Sequence, residues 1–261
     1  MILRTLVVAF AVLVGFGVTA GAQDGASTDK PLVLLAGATG KNGSYILKQL
    51  TEGADRPYRV RAMTRDVAKA KQKFGDIAEW VEADVTKPET LQGVFDGVTY
   101  IIDAKAAPLN PLGDSPEQVD LQGTQNMIAA AKAATKEGGG VKKYVIITSS
   151  VSGTKDHFLN KIGRDVLIYK ALAEDALMAS GIPYVIVGPS GMTDDPPGKE
   201  IVLIPRSEYK SGTKITRADT ARVCIAALSN PDANNRVFSV HNGDGPYSDD
   251  WQNAFATLPA Q

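Results

Sequence analysis

The chain has 261 residues, with 28 lysines and arginines against 29 aspartates and glutamates, two histidines and one cysteine. A net charge of −1 gives no global field that would attract nucleic acid or an anionic membrane. One cysteine excludes a disulfide framework and a cysteine-rich zinc site, and two histidines far apart in sequence do not indicate a metal site. The composition, 44% hydrophobic and 22% charged, is that of a globular protein with one large α/β domain or at most two small ones.

The first 22 residues have the layout of a secretory signal peptide. Arg4 precedes an apolar run of about 15 residues, which is short for the roughly 20 that span a bilayer. The segment ends in a small-x-small pattern, so we expect cleavage after Ala22 and a secreted or periplasmic protein without a stable membrane span. An uncleaved membrane anchor and an organellar location are the alternatives. Residues 23–30 are small and polar and are interpreted as a linker.

Apolar runs and amphipathic stretches then alternate along the chain. The predicted strands are Leu32–Ala36, Tyr58–Thr64, Glu79–Ala83, Thr99–Ala104, Lys143–Thr148, Tyr184–Val187 and Arg236–His241. The predicted helices are Gly43–Glu52, Asp66–Phe74, Pro88–Phe95, Val119–Ala134, Asp165–Ser180 and Arg217–Leu228. Trp80 is expected in the core, and Trp251 is expected to pack the tail.

This alternation predicts a doubly wound parallel α/β sheet in a single Rossmann-fold domain, residues 31–245, followed by a C-terminal tail, residues 246–261. The irregular stretches 106–116 and 188–200 each follow a strand. Because ligands of such folds lie at the carboxyl ends of the strands, we expect the pocket to be formed by residues 104–116, 150–160 and 188–212.

A glycine-rich turn of spacing G-x-x-G-x-x-G follows the first strand and leads into a helix. Glycine permits a positive φ and a close backbone approach, and the amides and dipole of a helix start favour a pyrophosphate. The strand before it and the helix after it make this short motif informative. The residues assigned to the cofactor here are Gly37, Thr39, Gly40, Lys41, Asn42 and Gly43.

Basic residues follow the second strand, where a binder of the ribose 2′-hydroxyl would place an acidic one. Arg65 there suits the 2′-phosphate of NADP through bidentate hydrogen bonds, so NADP is preferred to NAD. Asp84 and Val85, after the third strand, are expected to border the adenine, although a carboxylate acting as a local cap would have the same sequence pattern.

Several segments occur in the order found in a known family: GATGKNG, RAMTRD, VEADVTKPETL, DLQGTQNMIAAAKAA before VKKYVIITSS, KALAEDALMASGIPYVIV and TRADTARVCIAAL. Over residues 31–243 the chain resembles an atypical short-chain dehydrogenase/reductase, nearest to the NAD(P)H-binding, NmrA-like group. The resemblance implies the fold and a nicotinamide cofactor but not a substrate. Together with the strand ends, it adds Ala104, Lys105, Lys170 and Pro189 to the expected cofactor contacts.

The chemistry usual in this family uses a serine, a tyrosine and a lysine, the last two spaced Y-x-x-x-K. The resemblance places Ser150 at the serine position and Lys170 at the lysine position. Val166 then stands at the tyrosine position and cannot donate a proton. Tyr169, beside Lys170, points about 100° away on a helix and is no simple replacement.

Three interpretations remain open for the missing tyrosine. Lys170 holds the ribose while hydride passes to an acceptor that needs no protein acid, such as a flavin or a quinone. Alternatively, Asp156, His157 or Tyr169 supplies the proton. In the third, the protein binds the nucleotide without turning it over, as a sensor or interaction protein.

The first choice is an NADP-dependent oxidoreductase with Ser150, Lys170 and Tyr169 as candidate catalytic residues, acting on an unknown small molecule as a monomer or homodimer. No metal and no nucleic-acid partner are expected. A relative of sugar-nucleotide epimerases or dehydratases is a weaker alternative, since those chemistries also use the tyrosine.

Overall fold

A computed structural model describes residues 30–108, 111–134 and 140–260 of the chain. Eight strands form one sheet in the order β3-β2-β1-β4-β5-β6-β10-β8, and β7 pairs with β9 in a second, two-stranded sheet. The strands are β1 Leu32–Ala36, β2 Arg59–Thr64, β3 Glu79–Glu82, β4 Val98–Asp103, β5 Lys143–Ile147, β6 Tyr184–Pro189, β7 Gly191–Thr193, β8 Lys199–Pro205, β9 Lys214–Thr216 and β10 Arg236–Pro246.

Helices cover both faces of the large sheet, because its central strands are apolar on both sides and each side must be shielded from water. The α-helices are α1 Lys41–Thr51, α2 Val67–Phe74, α3 Gly123–Ala134, α4 Phe158–Gly163, α5 Val166–Met178 and α6 Arg217–Ser229. One core cluster lies between the sheet and helices α1 and α6, and the other lies between the sheet and helices α3 and α5. The predicted doubly wound α/β fold is confirmed.

Every predicted strand is present within one or two residues of its expected ends, except the last, which continues to Pro246. The sheet is not wholly parallel, because β8 pairs antiparallel with β10 at its edge. Strand β8 begins at Lys199, inside the stretch expected to be irregular. Its alternating, half-buried pattern is typical of an edge strand and is weaker than the continuous apolar runs of the buried strands.

Two predicted helices differ in the structure, and one helix of the structure was not predicted. The helix expected over Pro88–Phe95 is a single 3₁₀ turn, Pro88–Leu91. The helix expected from Val119 begins earlier, as a π-helical turn over Glu117–Gln122, and continues as α3. The short helix α4, which was not predicted, precedes α5 within the expected pocket region. Side-chain and tertiary contacts decided these boundaries, which periodicity locates least well.

The C-terminal segment packs on the domain. Its 3₁₀ helix, Asp249–Ala256, buries Trp251 and Phe255 against the core cluster of helices α1 and α6. Trp251 therefore packs the tail as expected, whereas Trp80 is half-buried, stacks on Phe74 and donates its indole N–H to the Gly75 carbonyl at 2.9 Å.

The predicted signal peptide and all but the last residue of the linker lie outside the described residues. Within residues 30–108, 111–134 and 140–260, no helix has the length and apolar character needed to cross a membrane.

Candidate functional site

The turn after β1 is built on close backbone contacts. Gly37 has φ +72°, and a Cβ built on it would lie 2.7 Å from the backbone nitrogen of Lys105. A Cβ on Gly43 would lie 2.0 Å from the Gly37 carbonyl oxygen. Real Cβ atoms do not approach backbone so closely, so glycine is required at both positions. This turn therefore packs against the segment that follows β4, and the two form the floor of a cleft.

The first turn of α1 faces the same region. Helix α1 begins after Gly40, which has no side chain to cap the amides of that turn. Among the described residues, the amide oxygen of Asn42 is buried and has no hydrogen-bond partner. Backbone amides and the positive end of a helix dipole fit a pyrophosphate, and the Asn42 oxygen, an acceptor, fits a sugar hydroxyl. The turn thus has the shape and the donors that a dinucleotide needs.

Most residues predicted from the sequence to contact the cofactor line one cleft at the carboxyl ends of β1, β2, β3 and β4. These are Gly37, Thr39, Gly40, Arg65, Asp84, Val85, Ala104 and Lys105. Lys41, Asn42 and Gly43 form the start of α1 beside it, whereas Lys170 and Pro189 belong to α5 and β6. The fold therefore gathers the predicted nucleotide residues at one edge of the sheet.

Lys105 turns its charge away from the cleft. Its Nζ donates to Asp103 Oδ2 at 2.6 Å and to Thr124 Oγ1 at 2.7 Å. The buried Tyr144 hydroxyl also donates to Asp103 Oδ2, at 2.8 Å, and burial together with this carboxylate raises the pKa of Tyr144. Lys105 thus lines the cleft while its ammonium neutralises a fully buried carboxylate.

Asp84 and Val85 border the cleft in different ways. Asp84 Oδ1 accepts hydrogen bonds from the backbone nitrogen and the hydroxyl of Thr86, at 3.0 and 2.8 Å, as a local turn cap does. Val85 packs over Gly123, where a Cβ would lie 2.7 Å from its side chain. Val85 therefore forms part of an apolar wall of the cleft.

Arg65 lies at the mouth of the cleft, and its side chain is exposed. Its NH1 lies 3.1 Å from Asp114 Oδ2 in the segment after β4. Arg164 holds that segment in place, because its guanidinium donates to the backbone carbonyls of Pro108, Gly113 and Asp114 at 2.9 to 3.1 Å. Neither Asp114 nor Arg164 stood out in the sequence, because each has its role only through a contact about 50 residues away.

Ser150 is buried just after β5. Its hydroxyl donates to the Gly188 carbonyl at 2.7 Å, and its backbone nitrogen donates to the Pro189 carbonyl at 3.1 Å. The hydroxyl thus ties β5 to β6 in this structure. Pro189 lies at the carboxyl end of β6, on the same edge of the sheet as the glycine turn.

Lys170 is held by an acidic partner that no sequence pattern indicated. Its Nζ lies 2.7 Å from Asp120 Oδ1, and Asp120 Oδ2 accepts from the backbone nitrogen of Ala107 at 3.2 Å. Asp120 belongs to the π-helical turn, a feature that is frequent at functional sites. The side chain of Lys170 is 13% exposed and that of Asp120 is 3% exposed, so the ammonium is positioned with little freedom.

Val166 is buried in the first turn of α5, so no hydroxyl stands at the tyrosine position. The Tyr169 hydroxyl lies 3.5 Å from Glu117 Oε2. Loss of hydration and the Glu117 carboxylate raise the pKa of Tyr169 above its ordinary value, which makes it a weaker acid. Asp156 is exposed, and His157 Nδ1 accepts from the Leu159 backbone nitrogen at 3.2 Å as the cap of α4.

The comparisons with known proteins agree with this geometry. Residues 37–231 match a family described as NAD(P)H-binding. The chain belongs to this NAD(P)H-binding family, of the atypical short-chain dehydrogenase/reductase type. The expected resemblance is thereby confirmed, and the family accounts for the glycine turn, the cleft and a nicotinamide cofactor. It does not distinguish NADP from NAD.

Two curated relatives and one solved structure illustrate the family. The chain is 31% identical to sanguinarine reductase of Eschscholzia californica, over 89% of this chain and 97% of that protein. It is also 31% identical to the chloroplastic protein TIC 62 of Pisum sativum, over 79% of this chain but 42% of that protein. The oxidoreductase ylbE of Lactococcus lactis shares the fold, with a TM-score of 0.69 at 23% identity over 87% of this chain and 96% of that one.

We predict that Gly40→Asp abolishes nucleotide binding without unfolding the domain. A Cβ at Gly40 would lie 3.2 Å from the Gly37 carbonyl oxygen, which is tight but tolerable, whereas the carboxylate would repel a pyrophosphate. Calorimetric titration of NADPH and NADH measures the effect, with Gly40→Ala as the control for bulk alone. Binding by Gly40→Asp as tight as by Gly40→Ala would show that no phosphate lies at this helix start.

Proposed function

We propose that this protein is an NADPH-dependent reductase whose acceptor takes hydride without a proton from a tyrosine. The observation that carries the proposal is that α5 lacks the family's tyrosine but retains its lysine. Val166 removes the family's proton donor, while Lys170 is kept and is positioned by Asp120. The lysine of the family's chemistry is thus retained with its ammonium held in place, although the proton donor is gone.

Arg65 supports NADPH rather than NADH as the cofactor. It follows β2 directly and lines the cleft that also contains Asp84 and Val85. A guanidinium at this place can bind a ribose 2′-phosphate through two hydrogen bonds, whereas a ribose hydroxyl offers it no charge to pair with. When bound, NADPH supplies the hydride.

Lys170 would hold the nicotinamide ribose, with its ammonium oriented by Asp120. Val166 offers no hydroxyl at the tyrosine position, and the Tyr169 hydroxyl faces Glu117 Oε2 at 3.5 Å. The proposed acceptor therefore stabilises the added electron pair by itself, as the conjugated rings of a quinone or a flavin do. Such an acceptor gains two electrons with the hydride, and its oxygen or nitrogen atom can take the accompanying proton from water.

The relatives support a reductase. The similarity to sanguinarine reductase extends over nearly the full length of both chains, so it includes the region beyond the nucleotide-binding half. A relative named for a reduction supports hydride transfer as the reaction of this chain, although its substrate belongs to that protein.

A non-catalytic nucleotide sensor is the second candidate, and one observation favours it. The Ser150 hydroxyl donates to the Gly188 carbonyl and is 5% exposed, so in this structure it is not presented to a substrate. A sensor would use the glycine turn, Arg65 and Lys170 to bind the nucleotide, so only turnover of an acceptor separates it from a reductase.

For the location, we propose that residues 1–22 are a cleaved targeting segment, with export from the cytoplasm as the first choice and an organelle as the alternative. The chloroplastic relative supports an organellar location. N-terminal sequencing of the protein purified from its own source should give a chain that starts at Gln23. A chain that retains Met1 would contradict cleavage.

We predict that Arg65→Ala weakens NADPH binding by about 10- to 100-fold, as expected from hydrogen bonds to a charged group that are worth about 1.5–3 kcal/mol. NADH should bind with an almost unchanged dissociation constant, because it lacks the 2′-phosphate. Titration of both nucleotides into both proteins measures the change. Equal losses for the two nucleotides would show that Arg65 does not bind the 2′-phosphate.

We further predict that the wild type oxidises NADPH in the presence of a quinone or a flavin and that Lys170→Met lowers kcat by about 100-fold, the scale expected when a contact that positions the cofactor is lost. Absorbance at the nicotinamide band measures the rate. Lys161→Met, at an exposed lysine of α4, is the matched control. Tight NADPH binding without turnover of any acceptor would favour the sensor.

A further inference from the structure

The ion pair between Arg65 and Asp114 joins the two walls of the cleft. Arg65 follows β2 and Asp114 lies in the segment after β4, while β1 and its glycine turn lie between those two strands. A contact between these side chains therefore crosses the line of β1, above the turn that would receive the pyrophosphate. Both residues line the same cleft.

The position of Asp114 is fixed by the backbone on either side of it. Arg164 donates to the carbonyl of Asp114 itself, at 2.9 Å, and to that of Gly113, at 3.0 Å. On the other side, Ser115 and Gln118 cap each other's backbone nitrogens at 2.9 and 3.2 Å. The carboxylate is thus presented toward Arg65 by an anchored segment rather than by a free loop.

The ion pair is exposed enough for another anion to replace Asp114 as the partner of Arg65. The Arg65 side chain is 69% exposed and that of Asp114 is 38% exposed. Pairs of this kind contribute about 1 kcal/mol or less, because water and salt screen both charges. A phosphate carries more negative charge than a carboxylate and accepts more hydrogen bonds, so it can replace Asp114 as the partner of the guanidinium.

We propose that Asp114 is a specificity-determining residue that occupies Arg65 until a ribose 2′-phosphate replaces it. The inference rests on the proposed use of NADPH, and it adds a residue that weakens NADPH binding. Asp114 competes for the guanidinium and repels the phosphate, so it lowers the affinity for NADPH. It has little effect on NADH, which leaves the ion pair in place.

A role for Asp114 in binding NADH is the chemical alternative, and the two roles predict different changes in affinity. An acidic residue near the adenosine ribose can accept a hydrogen bond from the 2′-hydroxyl of NADH. If Asp114 did so, its removal would weaken NADH binding. Competition for Arg65 predicts instead that its removal strengthens NADPH binding.

The experiment is calorimetric titration of NADPH and NADH into the wild type, Asp114→Asn and Glu82→Gln at low salt. Asp114→Asn should tighten NADPH binding by about fivefold, which corresponds to about 1 kcal/mol, and change NADH binding by less than about twofold. Glu82 is the matched control, since it is an exposed carboxylate that pairs in register with Thr64, next to Arg65. Its removal should have less than half the effect of Asp114→Asn on NADPH.

A double variant tests whether Asp114 acts through Arg65. In an Arg65→Ala background, Asp114→Asn should favour NADPH over NADH by less than half as much, because only the direct repulsion between Asp114 and the phosphate is then removed. A gain that persists there in full, a loss of NADH affinity in Asp114→Asn, or equal changes for the two nucleotides would each overturn the inference. A wild type that binds neither nucleotide would overturn both the inference and the proposed function, whereas selective NADPH binding that Asp114→Asn leaves unchanged would overturn the inference alone.

Discussion

The site depends on the close approach of two backbones, that of the turn after β1 and that of the segment after β4. Gly37 allows it, because its positive φ and missing side chain leave room for the backbone of Ala104 and Lys105. Gly43 then brings the start of α1 against the same turn. The cleft floor is consequently made of backbone, which can approach a pyrophosphate more closely than side chains would permit.

Charges around this floor are held by specific partners. Lys105 and Lys170 each point to an aspartate that is almost fully buried, Asp103 and Asp120. A buried carboxylate without a partner is costly, so each lysine both stabilises the fold and has its own position fixed. The two lysines differ in what they offer a ligand. The Lys105 ammonium is buried against Asp103 and Thr124, whereas the Lys170 ammonium is a fixed positive charge beside the segment that continues from the cleft.

The buried strands were predictable and the edge of the sheet was not. Strands β1, β5 and β6 are apolar on both faces, and a continuous apolar run between turn residues is a strong signal. Strand β8 is buried on one face only and pairs antiparallel at the edge, so its pattern resembles that of a loop with some apolar residues. Helix α4 has six residues, too few for a helical period to emerge.

The sequence by itself determined the fold class, the glycine turn and the kind of cofactor, because these depend on residues that are neighbours along the chain. Only the tertiary structure decided which distant side chains and backbone groups pair with each other. Arg65 lies 49 residues from Asp114, Lys170 lies 50 residues from Asp120, and Ser150 lies 38 residues from Gly188. No local pattern encodes such pairs, since the parallel sheet brings the carboxyl ends of distant strands to one edge, and the π-helical turn packs against α5 and brings Asp120 to Lys170.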